Sequence, residues 1–233
     1  MKHIYCFLIM LAAVLFPAEA QQDASRRDGG EAFNHPLNES TRPRFDAVCA
    51  DLAKNPVIKG GFEQTRTIGR LNRSMVSKGD FIIAAELGIV WDTLTPFPST
   101  MTVGRDYILQ STPSGARTKL DARGNETFLR FADIISAIFT GNSRQLLENF
   151  AVYFAESGGS WTIALIPGEK SIGTFAARIV MSGESTRAGG NQNTVIRVIT
   201  LYEQNGDTIT YRLSNHSYPG TLNARERSLF AAR

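Results

Sequence analysis

Between residues 60 and 214 the chain is a succession of short segments rich in β-formers, parted by glycine, asparagine and proline, with no regular alternation of strand and helix. That pattern argues against a parallel βαβ sheet and for one antiparallel sheet with helices gathered at one side. The segments fall at residues 60–67, 71–76, 79–85, 89–94, 99–103 and 107–111 in the first half, and at 151–156, 161–166, 174–182, 194–203 and 208–214 in the second. Gly104-Arg105-Asp106 and Asn205-Gly206-Asp207 are hairpin signals, Thr95-Pro96-Phe97-Pro98 is a breaker, and residues 188–193 read as a longer hairpin tip. About ten strands are expected.

Three stretches change period. Phe45, Val48, Cys49 and Leu52 recur at helical spacing until Asn55-Pro56 stops them. Phe128, Phe131, Ile134, Ile135, Ile138 and Phe139 fall at three- and four-residue steps, which predicts a strongly one-sided helix over residues 127–139. Leu146, Leu147 and Phe150 predict a shorter helix behind it, with Ser143 as its cap.

The N-terminus carries a different signal. Met1-Lys2-His3 precedes an apolar run, residues 4–16, that is too short to span a bilayer, and Ala18-Glu19-Ala20 offers a small-x-small cleavage site. Residues 1–20 therefore read as a signal peptide cleaved after Ala20, residues 21–43 as a polar flexible leader, and residues 44–233 as one domain. Cys6 follows bulky Ile4 and Tyr5, so it is read as part of the signal and not as a lipidated residue. Cleavage removes one lysine and one glutamate, leaving the net charge of +3 unchanged. Such a balance does not mark a nucleic-acid binder. Only Cys49 remains, so no internal disulfide is possible and stability must come from packing.

Signals for chemistry are few. His35 lies in the leader and His216 in what reads as a loop, no pair of histidines has metal-ligand spacing, and Cys49 has no evident zinc partner. There is no nucleophile elbow and no phosphate loop. Asp80 with Glu86, or Asp121 with Glu126, read as solvated strand ends. The chain is thus expected not to be an enzyme and to need no cofactor or metal. What stands out is apolar: the helix over 127–139 must bury its face, either by filling the sheet's core or by enclosing, with the sheet, a pocket for an apolar ligand. Periodicity does not separate these.

The order of helix, Gly61-Phe62-Glu63-Gln64, Ser77-Lys78-Gly79-Asp80-Phe81, Gly88-Ile89-Val90-Trp91 and Pro96-Phe97-Pro98 resembles the LolA-type outer-membrane lipoprotein carriers. The stretches 161–167 and 206–215 resemble that family's late strands, and the likeness, closest to the divergent LolA-like branch, covers roughly residues 43–230. The resemblance implies a mainly β fold with α, a single curved antiparallel sheet forming an unclosed barrel with a helical lid. It also implies a periplasmic, monomeric carrier that takes lipoprotein acyl chains from an inner-membrane donor to an outer-membrane acceptor. Phe62, Phe81, Ile83 and Trp91 would line the cavity from the strands, and Phe128, Phe131, Ile135 and Phe139 from the lid. Where the family carries an arginine that latches the lid, this chain reads Ala84-Ala85-Glu86-Leu87-Gly88, so either the latch or the cargo differs. A carrier of another lipid or acylated pigment, and a sensor or interaction protein on the same fold, are the alternatives.

Overall fold

The structure, a computed structural model, describes residues 30–121, 134–168, 176–188 and 191–231. Eleven strands form one sheet: β1 (Val57–Ile68), β2 (Arg73–Ala84), β3 (Gly88–Thr95), β4 (Ser99–Val103), β5 (Tyr107–Ser111), β6 (Arg117–Asp121), β7 (Phe150–Ser157), β8 (Ser160–Pro167), β9 (Arg178–Ala188), β10 (Asn191–Tyr202) and β11 (Thr208–Ser217). Their order is β6-β5-β4-β3-β2-β1-β11-β10-β9-β8-β7, antiparallel throughout. The chain starts at the centre of the sheet, walks out to β6, crosses to the far edge at β7 and walks back until β11 meets β1. The two edge strands do not pair with each other, so the sheet is unclosed.

Among the described residues it is accompanied by the helices α1 (Arg42–Leu52), α2 (residues 134–140), α3 (Ser143–Asn149) and α4 (Ala224–Ser228). The first three cover the inner face. Phe45, Val48, Cys49 and Leu52 of α1 join Ile134, Ala137, Ile138 and Phe139 of α2 and the inward side chains from β1 to β3 and β7 to β11 in one core. A single core shared by strands so far apart in the order requires the sheet to wrap around its helices. Gly141, at φ +62°, ends α2 against α1, where a side chain would meet the Cys49 carbonyl. On the outer face α4 leads Phe230 onto Val57, Ala84 and Val90. Tyr107 Oη donates to the Phe230 carbonyl at 2.6 Å and Thr102 Oγ1 to that of Leu229 at 3.0 Å, fastening this second, smaller core.

Several expectations need revision. The two strands expected at 71–76 and 79–85 are one, β2, which runs without a break from Arg73 to Ala84. Gly79 makes no turn there; it lies at a bulge opposite Thr93 and so close to the Asp92 carbonyl that a side chain would not fit. The cap of α3 is Asn142, whose side chain accepts from the Gln145 amide, and not Ser143. β6 was not expected, because Arg117-Thr118-Lys119-Leu120-Asp121 is too polar to read as a strand; at a sheet edge, charge is what a strand needs. The polar stretch before α1 is not without structure: His35 to Leu37 run beside β7, with the Leu37 amide donating to Val152 O at 3.0 Å and the Phe154 amide to His35 O at 2.9 Å. The expected signal peptide, and Phe128 and Phe131 of the expected lid, lie outside the described residues.

Candidate functional site

Strand parity gathers the site. On β2 the odd residues Ser77, Gly79, Phe81 and Ile83 face inward while Val76, Lys78 and Asp80 face out. Trp91 of β3 pairs with Phe81, and Phe62 of β1 with Gly79, so three aromatic rings fall on one face of three adjacent strands. Phe62 and Trp91 have centroids 4.6 Å apart, Phe81 and Trp91 5.6 Å. Phe139 reaches Trp91 from α2 at 6.3 Å. Ile83 is buried beside them, and Ile135 of α2 packs on the same core half-buried.

Other members come from β11, which sequence reading missed. Tyr211 stands edge-on to Trp91 at 5.1 Å, Leu213 is buried, and His216 lies edge-on to Phe81 at 5.8 Å and parallel to Tyr218 at 6.5 Å. His216 is on a strand, not in a loop. The signal was the alternation Ile209, Tyr211, Leu213, which sets one side of β11 inward, but nothing local showed that β11 lies beside β1.

At the end of the sheet near α1, these groups border a cavity of about 20 Å³ lined by Ile58, Phe81, Ile83, Phe139, Leu213 and His216 among others. That is room for one water molecule and far below a small-molecule site. Among the described residues the rings of this cluster meet at the distances given, and the cavity beside them is smaller than an acyl chain needs.

The polar groups of the site carry its electrostatics. Burial pushes the Tyr211 phenol up to about 12 against the opposing pull of Arg66, so it stays neutral. Burial, with Arg197 second, lowers the His216 imidazole, and a hydrogen bond with the Ile196 backbone resists. Trp91 Nε1 and His216 Nδ1 are both buried without a hydrogen-bond partner. Orphaned polar atoms of this kind are uncommon and costly, at about 1–3 kcal/mol each. Cys49 is buried and its thiol is pushed up to about 12, chiefly by burial, which makes it unreactive. Among the described residues no three of His, Cys, Asp or Glu come together to hold a metal ion.

The second tie between helices and sheet is polar. The Thr194 hydroxyl of β10 donates to Asp51 Oδ2 of α1 at 3.0 Å, which leaves Ser185 of β9 to donate to Thr194 at 2.8 Å. Asp51 also pairs with Lys54. This chain of three fixes α1 across the sheet, at the border of the cavity.

The molecule is thus a mainly β protein, one open antiparallel sheet whose inner face is roofed by short helices over an aromatic cluster. No protein-family model and no curated protein matches the chain. Solved structures similar to it include a DUF1329 family protein from Desulfovibrio piger, with 8% identity, a TM-score of 0.47, and 81% of this chain and 95% of that one covered. A LolA superfamily protein from Nitrosomonas europaea has 6% identity and a TM-score of 0.43, over 78% of this chain and 95% of that one. The MucA/MucB complex of Pseudomonas aeruginosa has 11% identity and a TM-score of 0.41, over 83% of this chain and 61% of that one.

Proposed function

We propose that the protein is a periplasmic carrier for an acylated molecule, lipoprotein acyl chains or another lipid, held between α2 and the inner face of β1 to β3, and that it performs no catalysis. The observation that carries this reading is that two of the four buried side-chain atoms without a hydrogen-bond partner among the described residues, Trp91 Nε1 and His216 Nδ1, lie in this one aromatic cluster. A guest bearing an ester or amide next to its hydrocarbon supplies an acceptor for the indole N–H, while the aromatic rings take the chain. Each buried CH₂ contributes roughly 0.8 kcal/mol, so a long acyl group provides ample drive to part helix from sheet. Loading would part α2 from the sheet, because the cavity bordering Phe81 and Phe139 has room for only one water. Donor and acceptor proteins at the inner and outer membranes would then act by opening and emptying this space.

The test is lipid extraction and mass spectrometry of the protein purified from its own periplasm, with uptake of a fluorescent fatty acid by the emptied protein. Phe139→Asp should lower uptake well beyond its effect on stability. Equal uptake by both forms, with no co-purified lipid, refutes the proposal. The small cavity favours one other reading, a sensor or interaction protein that uses the sheet as a rigid platform; a stable protein partner co-purifying with a lipid-free chain would establish it.

A further inference from the structure

The large apolar side chains exposed among the described residues are five, and four of them sit at one end of the sheet: Leu71 (61% exposed), Val76 (47%), Leu94 (50%) and Phe97 (38%). The β1–β2 turn and the β3–β4 turn both project at this end, since β1 and β3 run the same way with β2 between them. Lys78 pairs with Thr95 on the last rung between β2 and β3, so Phe97 lies in the β3–β4 turn just past that rung while β2 runs on through Val76 to its own tip. Leu71 crowns the neighbouring turn, where Asn72 in the left-handed region (φ 48°) closes a tight bend.

Charge at this end is one-sided. Arg70 and Arg73 flank Leu71, are exposed, and form no ion pair among the described residues. The acidic groups nearby are already engaged: Glu203 and Asp207 of the adjacent β10–β11 turn hold Arg66, at 3.1 and 3.6 Å, and Glu63 holds Lys78 at 2.8 Å. Two free guanidinium groups therefore stand at the tip of the β1–β2 hairpin, which carries Leu71 and Val76 and projects past Leu94 at the end of β3 and Phe97 of the neighbouring turn. Apolar residues that enter the headgroup boundary, with arginines reaching phosphate beside them, are the chemistry of a membrane-surface anchor.

We infer that this end of the sheet docks the protein on a bilayer rich in anionic phospholipid, with Leu71, Leu94 and Phe97 entering the interface and Arg70 and Arg73 binding lipid phosphates. The cavity lies at the other end of the strands, by Ile58, Ile83 and His216. Docking thus turns the cavity border away from the bilayer, and it does not depend on the cavity taking a lipid.

The experiment is co-sedimentation of the full mature chain with vesicles of equimolar phosphatidylglycerol and phosphatidylethanolamine, and with phosphatidylcholine vesicles as the neutral comparison. Binding to the anionic vesicles is expected, weakening as salt rises. Arg70→Gln and Arg73→Gln should each lower it by about fivefold, the worth of one basic side chain at an anionic surface. Leu71→Ser with Phe97→Ser should lower it further with the circular dichroism spectrum and thermal midpoint kept. Phe97→Trp adds a reporter whose emission should move to shorter wavelength on anionic vesicles. Failure of the parent protein to sediment with anionic vesicles overturns the inference, as does equal sedimentation of a variant combining Arg70→Gln, Arg73→Gln, Leu71→Ser and Phe97→Ser, or a tip that captures a protein while ignoring both lipids. Vesicle binding with no bound acyl ligand would leave this inference standing and remove the carrier reading; the reverse result would do the opposite.

Discussion

The ring of Trp91 lies over that of Phe81, its register partner on the neighbouring strand, with centroids 5.6 Å apart and planes 20° from parallel. Phe139 of α2 meets the same indole from the roof at 6.3 Å, so Trp91 reports on whether helix and sheet are in contact. The chain has only two tryptophans. In a Trp161→Phe variant, addition of an acyl ligand should change the emission of Trp91, and in a Trp91→Phe variant the remaining signal from Trp161 should stay constant. A response confined to Trp161 would place the guest elsewhere.

The tie from Ser185 through Thr194 to Asp51 should be worth measuring by urea unfolding. Thr194→Val removes the sheet's donor to a buried carboxylate and is expected to cost about 1.5–3 kcal/mol, the range for hydrogen bonds to charged groups. Ser185→Ala removes only a neutral bond and should cost about 0.5–1.5 kcal/mol.

Gly183 on β9 sits under Trp161 of β8, its register partner. A methyl group there would lie 2.0 Å from the Val195 carbonyl and 2.4 Å from the indole, and the former, being backbone, cannot step aside. Gly183→Ala is expected to destabilise by about 1–3 kcal/mol or more, as overpacking does, with a fall in the urea midpoint at unchanged slope.

His216 gives the fold a pH dependence of defined sign. Its imidazole is held below the ordinary range in the folded protein, so on acidification the unfolded chain takes up a proton before the folded one does. The contribution is complete above about pH 6.5, the ordinary imidazole value, and is lost progressively as the pH falls through the folded value. Thermal midpoints recorded from pH 7.5 down to 5 should decline, and His216→Phe should flatten that decline.

Removal of the segment through Leu37 should uncover the backbone groups of β7 that now bond His35 and Leu37. The shortened protein is expected to self-associate with concentration in sedimentation velocity, while the mature chain keeps a constant sedimentation coefficient.

What could be read from the residues divides along the range of the interactions. Strands, the Asn205-Gly206-Asp207 hairpin and the apolar face of α1 are local patterns and were legible. The bulge at Gly79 was not, because a glycine that marks a turn and one that admits a neighbouring carbonyl look alike in sequence. Phe62, Phe81 and Trp91 could be grouped only through the family resemblance, whereas Tyr211 and His216 join them because β11 lies beside β1, some 150 residues away in the chain. The edge roles of β6 and of His35 to Leu37 were hidden for the same reason: their composition suits solvent, and only the sheet's limits give it meaning.

That pairing of the first strand with the last also decides when the molecule can form. The pairs within each meander are local, but the sheet's centre is absent until the last strand has been made, so completing the fold closes a very long loop. Until then β1 keeps a bare backbone rim and its aromatic face lies uncovered, which makes the incomplete chain prone to association before its last strand arrives.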